Sequence, residues 1–349
     1  MKYGLPYKGS KNKLAERIID ILPDADHLID MFCGGCAIAH AALVKGKYQH
    51  VHINDLNWMC PTLFKDALEG KYADDTRWIS REDFERLKTT DPYVAMVWSF
   101  GNNLRDYMYS KDIEPLKRAI HYAMYFNDYE PGKELGHDFS FVKDIPDVQE
   151  KYTAIKQYFI GGGNSSTSNP SAKETESRQY KVKRPYELQH MECTSRVSQF
   201  KKKIGTENSA TANGGTMSCR LQSHESKRVY LQTRVRGGQI SLTDSVLDYA
   251  DVEIPKNSVI YCDIPYKDTN VYKKGQQFDY ARFYNWAMRQ TEPVFISSYW
   301  MPERYFECIE EWSHQSIYCA TEVLNVTERL FIPRKDVEPY PYHKQLTLF

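Results

Sequence analysis

The chain has 349 residues, of which 41% are hydrophobic and 26% are charged, and its 46 basic residues balance its 46 acidic residues. This composition is typical of a soluble globular protein with one large domain or a core that carries an insertion. The lack of a long apolar run argues against a membrane span, and the N-terminal residues lack the apolar stretch of a signal peptide. The eight cysteines have no disulfide-like spacing, which favours a reducing cytosol.

The balanced net charge hides one basic stretch. Residues 181–236 contain 12 Lys and Arg against 4 Glu and no Asp, so the rest of the chain carries an equal acidic excess. Such an asymmetry indicates a surface that faces a polyanion on an otherwise acidic protein. A solvated basic loop without a partner would have the same composition.

The N-terminal part of the chain alternates helices and strands. Apolar residues at helical spacing predict a helix over residues 11–22, which Pro23 ends. The elements predicted after it are a strand over 27–32, a helix over 36–44, a strand over 50–54 and a helix over 57–68. This alternation predicts a parallel α/β sheet.

The middle of the chain has a different composition. Residues 80–158 are predicted to be mostly helical and are rich in aromatic residues. Residues 161–177 and 205–215 have the small, polar composition of flexible loops. The strand–helix alternation then resumes, with predicted strands over 258–263 and 293–299, a helix over 279–290, and a closing antiparallel pair over 316–324 and 328–333.

These patterns predict a discontinuous core. We expect residues 1–70 and 236–349 to form one Rossmann-like α/β fold, because both segments alternate strands and helices. Residues 71–235 would then be a mostly helical insertion that carries the basic stretch.

Two strand ends in the N-terminal half have the pattern of a nucleotide-binding corner. The first is followed by DMFCGG, which contains Asp30, Phe32, Gly34 and Gly35. Glycine lets a ligand approach the backbone, and the next helix offers free N–H groups, although a tight strand–helix turn has the same pattern. Asp55 ends the second strand, where a carboxylate can accept hydrogen bonds from ribose hydroxyls or cap the next helix.

A third strand, within VIYCDIPY at residues 259–266, ends on a carboxylate. Ligands of doubly wound sheets bind at the carboxyl ends of the strands, so Asp263 is expected to face the same crevice as the two earlier strand ends. Asp263 and the carbonyl of Ile264 can each accept one N–H. Pro265 holds the turn, and the ring of Tyr266 offers a stacking face. Together these groups suit a planar amine.

These motifs resemble, in their order, those of the Dam-like, D12 class of N6-adenine DNA methyltransferases, whose hallmark at the third strand is D-P-P-Y. The matching segments are YKGSK at 7–11, DMFCGG at 30–35, NDLN at 54–57, LDY at 247–249 and DIPY at 263–266. The resemblance covers both halves of the core. The insertion lies where this family carries its target-recognition region.

The resemblance implies methyl transfer from S-adenosyl-L-methionine to the N6 amine of a flipped adenine in double-stranded DNA, without a metal. The implied catalytic residues are Asp263, Ile264, Pro265 and Tyr266. The implied cofactor-binding residues are Tyr7, Gly9, Lys11, Asp30, Phe32, Gly34, Gly35, Asp55, Asn57, Asp248 and Tyr249. Candidate DNA contacts in the basic stretch are Lys201, Lys202, Lys203, Arg220, Lys227, Arg228, Arg234 and Arg236.

Two positions depart from the family pattern. Ile264 replaces the first proline of the hallmark, but the mechanism requires a backbone carbonyl there, which Ile also has. Because Pro265 still restricts Ile264 to an extended conformation, we expect activity to survive. Cys36 replaces a glycine common in the first loop, and we expect this change only to adjust packing near the methionine end of the cofactor.

The C-terminal residues QLTLF resemble the bacterial sliding-clamp-binding pentapeptide. Gln345, Leu346, Leu348 and Phe349 would be the contact residues of an extended tail that folds on binding. The alternative is a tail that packs on its own core. With the clamp as partner, the protein is expected to be cytoplasmic and nucleoid-associated, in a bacterium or encoded by a phage.

Two other functions stay open from the sequence. One is methylation of a different planar amine, such as cytosine N4, RNA or a glutamine amide; Asp rather than Ser or Asn at 263 disfavours it. The other is a non-catalytic DNA-binding protein that keeps the fold, which only the Ile264 departure supports.

Overall fold

The computed structural model describes residues 3–7, 9–72, 74–160, 234–235, 238–266, 278–319 and 322–342. The predicted clamp-binding residues lie outside this part of the chain. Arg234 belongs to a described strand, and the other predicted DNA contacts lie outside the described residues. The chain divides into two compact units, Met1–Lys71 with Arg220–Phe349 and Tyr72–Cys219.

The first unit contains a seven-stranded sheet, as far as the described residues show. In chain order its strands are β1 (His27–Asp30), β2 (His50–Asn54), β5 (Ser241–Ser245), β6 (Ser258–Asp263), β7 (Val294–Ser298), β8 (Phe306–Cys319) and β9 (Glu322–Pro333). The spatial order is β5-β2-β1-β6-β7-β9-β8. The first five strands of that order are parallel, and β9 runs antiparallel to both β7 and β8. A short antiparallel pair, β3 (Arg234–Val235) and β4 (Gly238–Gln239), lies outside this sheet.

The described helices of the first unit precede or follow its strands in the chain. They are α1 (Ala15–Ile21), α2 (Ala37–Lys45), α3 (Met59–Leu68) and α9 (Tyr280–Arg289). Strand β6 has a run of apolar and aromatic residues from Val259 to Cys262 and is buried from Ser258 to Cys262, as expected for a central parallel strand covered on both faces. Phe283 and Ala287 of α9 belong to the same core cluster as Ile260 and Cys262 of β6.

The observed strands correct one predicted pair. Residues 316–324 do not form one strand, because β8 ends at Cys319 and β9 begins at Glu322. The predicted strands over 50–54 and 258–263 are confirmed. Strand β5 was not predicted, since its sequence SLTDS is polar and lacks apolar alternation; it forms by parallel pairing with β2 at the sheet edge.

The order of the parallel strands reverses at β1. From β1 the sheet extends to β2 and β5 on one side and to β6 and β7 on the other. Such a switch point opens a crevice at the carboxyl ends of the adjoining strands. Asp30, Asn54 and Asp263 are the last residues of β1, β2 and β6, so they lie at this edge.

The described residues of the second unit are mainly helical. The helices are α4 (Arg81–Leu87), α5 (Pro92–Val97), α6 (Glu114–Tyr125), α7 (Glu130–Glu134) and α8 (Val148–Ile160). One of its apolar clusters includes Ile120, Phe139 and Ile155. That this unit is an inserted target-recognition region stays a prediction. None of the helices in the described part of the chain is long and apolar enough to cross a membrane.

Candidate active site

Asp30 joins the first strand to the helix that follows it. Its Oδ2 accepts a hydrogen bond from the backbone N–H of Ala39, in the first turn of α2, at 3.1 Å. The residue is only 1% exposed, and burial raises the pKa of its carboxyl to about 7. Asp30 therefore holds the start of α2 in place beside β1.

The glycine-rich loop lies directly under the N-terminal segment. The backbone N–H of Leu5 donates to the carbonyl of Gly35 at 2.6 Å. A Cβ on Gly35 would lie 2.8 Å from the Cβ of Tyr7, and one on Gly34 would lie 3.2 Å from the Tyr7 ring. Only glycine allows this approach, so Tyr7, Gly34 and Gly35 are brought together as predicted members of one site.

Asp55 ties the same loop to the second strand. Its Oδ2 accepts from the N–H of Gly34 at 2.9 Å, and its Oδ1 accepts from the N–H of Asn57 at 2.8 Å. Burial raises the pKa of the Asp55 carboxyl. The Asn57 side chain in turn accepts from the N–H of Met59 at the start of α3. The carboxylate thus fixes both the loop and the entry to α3, and each of its oxygens keeps a further lone pair.

The predicted pair Asp248 and Tyr249 divides between two environments. Asp248 accepts two hydrogen bonds from the guanidinium of Arg282, each 2.8 Å long. The Tyr249 ring lies 5.6 Å from the ring of Phe32 and 5.4 Å from that of Phe283. Phe32 and Tyr249 therefore share one aromatic wall, while the carboxylate of Asp248 faces Arg282. This ion pair was not predicted from the sequence.

Lys11, Asp263, Tyr266 and Glu328 form what we call the Asp263 cluster. The Lys11 ammonium lies 2.8 Å from Asp263 Oδ1 and 3.6 Å from Glu328 Oε1. The Tyr266 hydroxyl lies 3.2 Å from Asp263 Oδ1 and also within hydrogen-bond reach of Glu328 Oε1. The Lys11 ammonium and the Tyr266 hydroxyl therefore each interact with both carboxylates, those of Asp263 and Glu328. Lys11, predicted as a cofactor contact, lies against Asp263, which is predicted to be the catalytic carboxylate.

The cluster is largely shielded from water, with Lys11 and Glu328 buried and Asp263 and Tyr266 half-buried, and this affects its charge states. Burial raises the pKa of the Asp263 carboxyl, and Lys11 and the Tyr266 hydroxyl partly oppose that rise. Burial disfavours the Lys11 ammonium, but Asp263 and Glu328 outweigh burial and raise its pKa. Burial and the two carboxylates raise the pKa of Tyr266 well above its ordinary value, so the phenol stays a donor.

The rest of the DIPY turn has defined contacts. The side chain of Ile264 is 2% exposed and belongs to the core cluster that contains Ile29 and Met31. The hydroxyl of Tyr280 donates to the carbonyl of Pro265 at 2.9 Å. At position 264 the side chain therefore serves core packing, and Pro265 is held in place from α9.

The ring of Tyr266 is covered by two neighbours. The Lys11 ammonium lies 4.8 Å from the ring centroid, and the ring of Tyr299 lies 4.2 Å away at an angle of 46°. Tyr299 follows directly after β7, the strand next to β6. Stacking of a planar ligand on Tyr266 therefore requires one of these neighbours to move or to share the ring.

Sequence reasoning missed Glu328. It lies in β9 and is only 3% exposed, and Leu330, two residues further along the same strand, is fully buried. Side chains two apart on a strand share one face. An acidic residue on an inward-facing strand position is rarely found without a partner, and this signal was present in the sequence NVTERLF.

Several features of this edge leave room and hydrogen-bonding groups for a polar ligand. Among the described residues, Ser10 Oγ and the Tyr249 hydroxyl are buried without a hydrogen-bond partner. Gly9 has a φ of +80°, and a Cβ there would meet nothing within 4 Å. Unpaired buried hydroxyls indicate a missing polar partner. Gly9 belongs to the N-terminal segment that contacts the glycine-rich loop, and Asp55 accepts a hydrogen bond from that loop.

The family model of the D12 class N6 adenine-specific DNA methyltransferases matches residues 7–135 of the chain. The predicted resemblance is therefore confirmed for this part, which includes the glycine-rich loop and Asp55. The match covers less than half of the chain and ends before Asp263, and the resemblance of the tail to a clamp-binding peptide stays a prediction. No curated protein is a significant match to the chain.

Proposed function

We propose that the protein methylates the N6 amine of adenine in DNA with S-adenosyl-L-methionine as methyl donor. One observation carries the proposal: Asp263 ends β6 at the sheet edge where the family-matched glycine-rich loop also lies. A carboxylate followed by Ile-Pro-Tyr at this place suits a planar amine with two N–H groups. The family match supports N6-adenine DNA methylation as the general activity.

The chain supplies a defined set of groups for the cofactor. Asp55 would accept hydrogen bonds from ribose hydroxyls with its remaining lone pairs. The adenine ring of the cofactor would pack against the aromatic wall of Phe32 and Tyr249. Gly34 and Gly35, which have no side chains, would let the cofactor approach the backbone of the loop. When bound, S-adenosyl-L-methionine supplies an electrophilic methyl group on a positively charged sulfur.

The target amine is the weak partner in this reaction, because its lone pair is conjugated with the purine ring. Asp263 and the carbonyl of Ile264 would each accept one N–H and so draw the nitrogen toward a nucleophilic geometry. Tyr266 would stack the base after it leaves the duplex. Positioning and local electrostatics account for such catalysis.

Three finer parts of the proposal concern the whole chain. The second unit would read the DNA sequence, the basic stretch at residues 181–236 would hold phosphates, and the tail would bind a sliding clamp. These assignments agree with a cytoplasmic, nucleoid-associated protein. They depend on the sequence alone.

Asp263→Asn tests the proposed role most simply. Asn keeps the shape of the side chain but removes its charge, so we expect methyl transfer to adenine-containing duplex DNA to fall by about a hundredfold or more. The assay measures transfer from labelled S-adenosyl-L-methionine. Asp20→Asn, at an exposed carboxylate of α1, is the control and should keep wild-type activity.

The outcome also separates the alternatives. Methylation of cytosine, RNA or a protein amide, but not of adenine in DNA, would select a different planar amine. Cofactor binding without transfer to any substrate would favour a non-catalytic DNA-binding protein. Equal activity of Asp263→Asn and wild type would remove Asp263 from the mechanism.

A further inference from the structure

Glu328 is a buried carboxylate that the proposed reaction does not use. It lies on β9, which pairs with β7 through Ser298 and Arg329, and it is 3% exposed. It reaches the active-site edge only through its side chain, which contacts Tyr266 and lies 3.6 Å from Lys11. A carboxylate so deeply buried is costly unless it has a specific set of partners.

The numbers of hydrogen-bond donors and acceptors in the Asp263 cluster suggest a role for Glu328. A phenol has one hydrogen, yet the Tyr266 hydroxyl lies within hydrogen-bond reach of both Asp263 and Glu328. Lys11 has three N–H donors and lies 2.8 Å from Asp263. Without a substrate, Asp263 can therefore accept from both Lys11 and Tyr266. With a substrate, the same carboxylate has to accept from the target amine.

We propose that Glu328 is a positioning residue for methyl transfer: it takes over the Tyr266 hydroxyl, so that Asp263 becomes available to the target amine. This inference rests on the proposed function. The exchange leaves no buried hydroxyl unpaired, because the phenol keeps one acceptor throughout. A buried donor that lost its only acceptor would oppose binding of the amine.

The charge of the cluster supports the same role. With both carboxylates ionised and Lys11 protonated, the cluster carries one net negative charge. During transfer the amine lone pair forms the bond to the methyl carbon while the electrons of the methyl–sulfur bond leave with sulfur, and the nitrogen turns positive until it releases a proton to water. A fixed negative charge beside that nitrogen stabilises the transition state.

Other titratable groups surround Asp263. Within the described residues, the groups whose pKa is affected by Asp263 or Glu328 are Lys11, Asp30, Asp55, Tyr261, Cys262, Tyr266 and Tyr299. Lys11 is the cation that both carboxylates contact. Without the Glu328 charge, the Lys11 ammonium interacts with Asp263 as the remaining carboxylate of the pair. We expect this to lower the pKa of the Asp263 carboxyl.

The test compares wild type with Glu328→Gln, Tyr266→Phe and the double variant. Glu328→Gln keeps the shape and one acceptor oxygen but removes the charge, and Tyr266→Phe keeps the ring but removes the hydroxyl. We expect Glu328→Gln to lower kcat by about tenfold or more, and Tyr266→Phe, which has no hydroxyl to occupy Asp263, to lower kcat much less. Because Glu328 acts through the hydroxyl, the double variant should lose much less than the product of the two single losses.

Two readouts separate this role from simple structural support. The acid limb of kcat in Glu328→Gln should move to lower pH, which a loss of folding would not cause. Extrusion of the target adenine, followed without cofactor by the fluorescence of a 2-aminopurine placed next to it in the duplex, should weaken in the same variant. Glu311→Gln is the matched control, since Glu311 is an exposed carboxylate on β8 that contacts Arg329.

The inference and the proposed function fail in different ways. If wild type methylates adenine and Glu328→Gln keeps kcat within twofold and the same acid limb, the role of Glu328 is wrong while the function stands. Strictly multiplicative effects of the two single variants would also overturn it. If wild type methylates no adenine, the proposed function itself fails. Thermal unfolding of each variant shows whether the fold is kept.

Discussion

Cys36 occupies a backbone conformation that favours glycine. Its φ is 54° and its ψ is 35°, at the residue just before α2. A side chain in this left-handed region costs on the order of 1 kcal/mol relative to glycine. The residue is fully buried, and its Sγ lies 3.7 Å from the carbonyl of Gly34. Its replacement of glycine therefore affects the backbone as well as the packing expected from the sequence.

Ile264 also departs from the family motif, but the structure accommodates its side chain without an unfavourable backbone conformation. Its side chain fills part of the core below the turn. Pro265 follows it and holds the extended backbone. The proposed reaction requires only a backbone carbonyl at this position. The Ile side chain does not alter that carbonyl.

At the residue scale, Lys11→Met should move the acid limb of methyl transfer to higher pH. Lys11 opposes the rise that burial imposes on the pKa of Asp263, so its removal raises that pKa further. We expect a loss of single-turnover rate that is larger at low pH and partly recovers as the pH rises. Lys11→Arg keeps the charge and should keep the wild-type acid limb. An unchanged acid limb in Lys11→Met would contradict the pairing of Lys11 with Asp263.

At the element scale, the central strands were predictable and the edges were not. Strand β6 contains a continuous run of apolar and aromatic residues from Val259 to Cys262, and this run located the strand in the sequence. Strand β5 is polar and depends on pairing with β2, which no local pattern reveals. The β8–β9 turn was misplaced because the whole segment from Phe306 to Pro333 has strand-forming residues and no strong turn signal.

In the candidate site, the carboxylates at the strand ends were predictable from the sequence, and their side-chain partners were not. Its carboxylates stand at strand ends, where sequence and topology agree on their place. The partners of those carboxylates come from distant segments: Lys11 precedes the first helix, and Glu328 lies on the antiparallel strand β9. Such contacts depend on side-chain packing across the sheet, so sequence spacing gives only weak evidence for them.

The junction of β1 and α2 gives the element-scale prediction. The pKa of Asp30 is raised to about 7 from its ordinary value, so the folded state keeps a proton that the unfolded state loses. The stability contributed by this group is full below about pH 4 and is lost as the pH rises through 7. Asp30→Asn stays neutral, so its stability relative to wild type should increase between pH 4 and 8, by a few kcal/mol. Urea unfolding at several pH values measures this difference.

Asp83 provides a control of opposite sign. Arg86 and Ser80 lower the pKa of its carboxyl, so its contribution to stability is present above its ordinary pKa and is lost as the solution becomes acidic. Asp83→Asn should therefore lose stability relative to wild type as the pH rises. A flat difference between Asp30→Asn and wild type over pH 4 to 8 would show that Asp30 is not buried as a neutral acid.

At the scale of the whole molecule, charge is segregated along the chain. The basic stretch at residues 181–236 contrasts with an acidic remainder. Under the proposed function, phosphate contacts concentrate in this stretch, while the catalytic cluster carries negative charge beside the target amine. DNA binding should accordingly weaken steeply with salt, whereas the chemical step should depend little on it.

Removal of residues 345–349 tests the proposed clamp contact. The pentapeptide would bind as an extended segment whose apolar side chains enter a pocket of the partner. We expect the truncated protein to lose binding to a bacterial sliding clamp, measured by surface plasmon resonance, and to methylate short duplexes at the wild-type rate. Replacing Thr347 alone, the variable position of the motif, should leave clamp binding intact. Unchanged clamp binding after truncation would exclude the tail.

The most direct measurement is the identity of the nucleoside that the protein modifies. Duplex DNA that contains all four bases is incubated with wild-type protein and S-adenosyl-L-methionine, then digested to nucleosides and analysed by mass spectrometry. We expect the wild type to form N6-methyldeoxyadenosine and Asp263→Asn to form less of it by about a hundredfold or more. The appearance of N4-methyldeoxycytidine instead, or of N6-methyldeoxyadenosine at equal levels with both proteins, would contradict the proposed function.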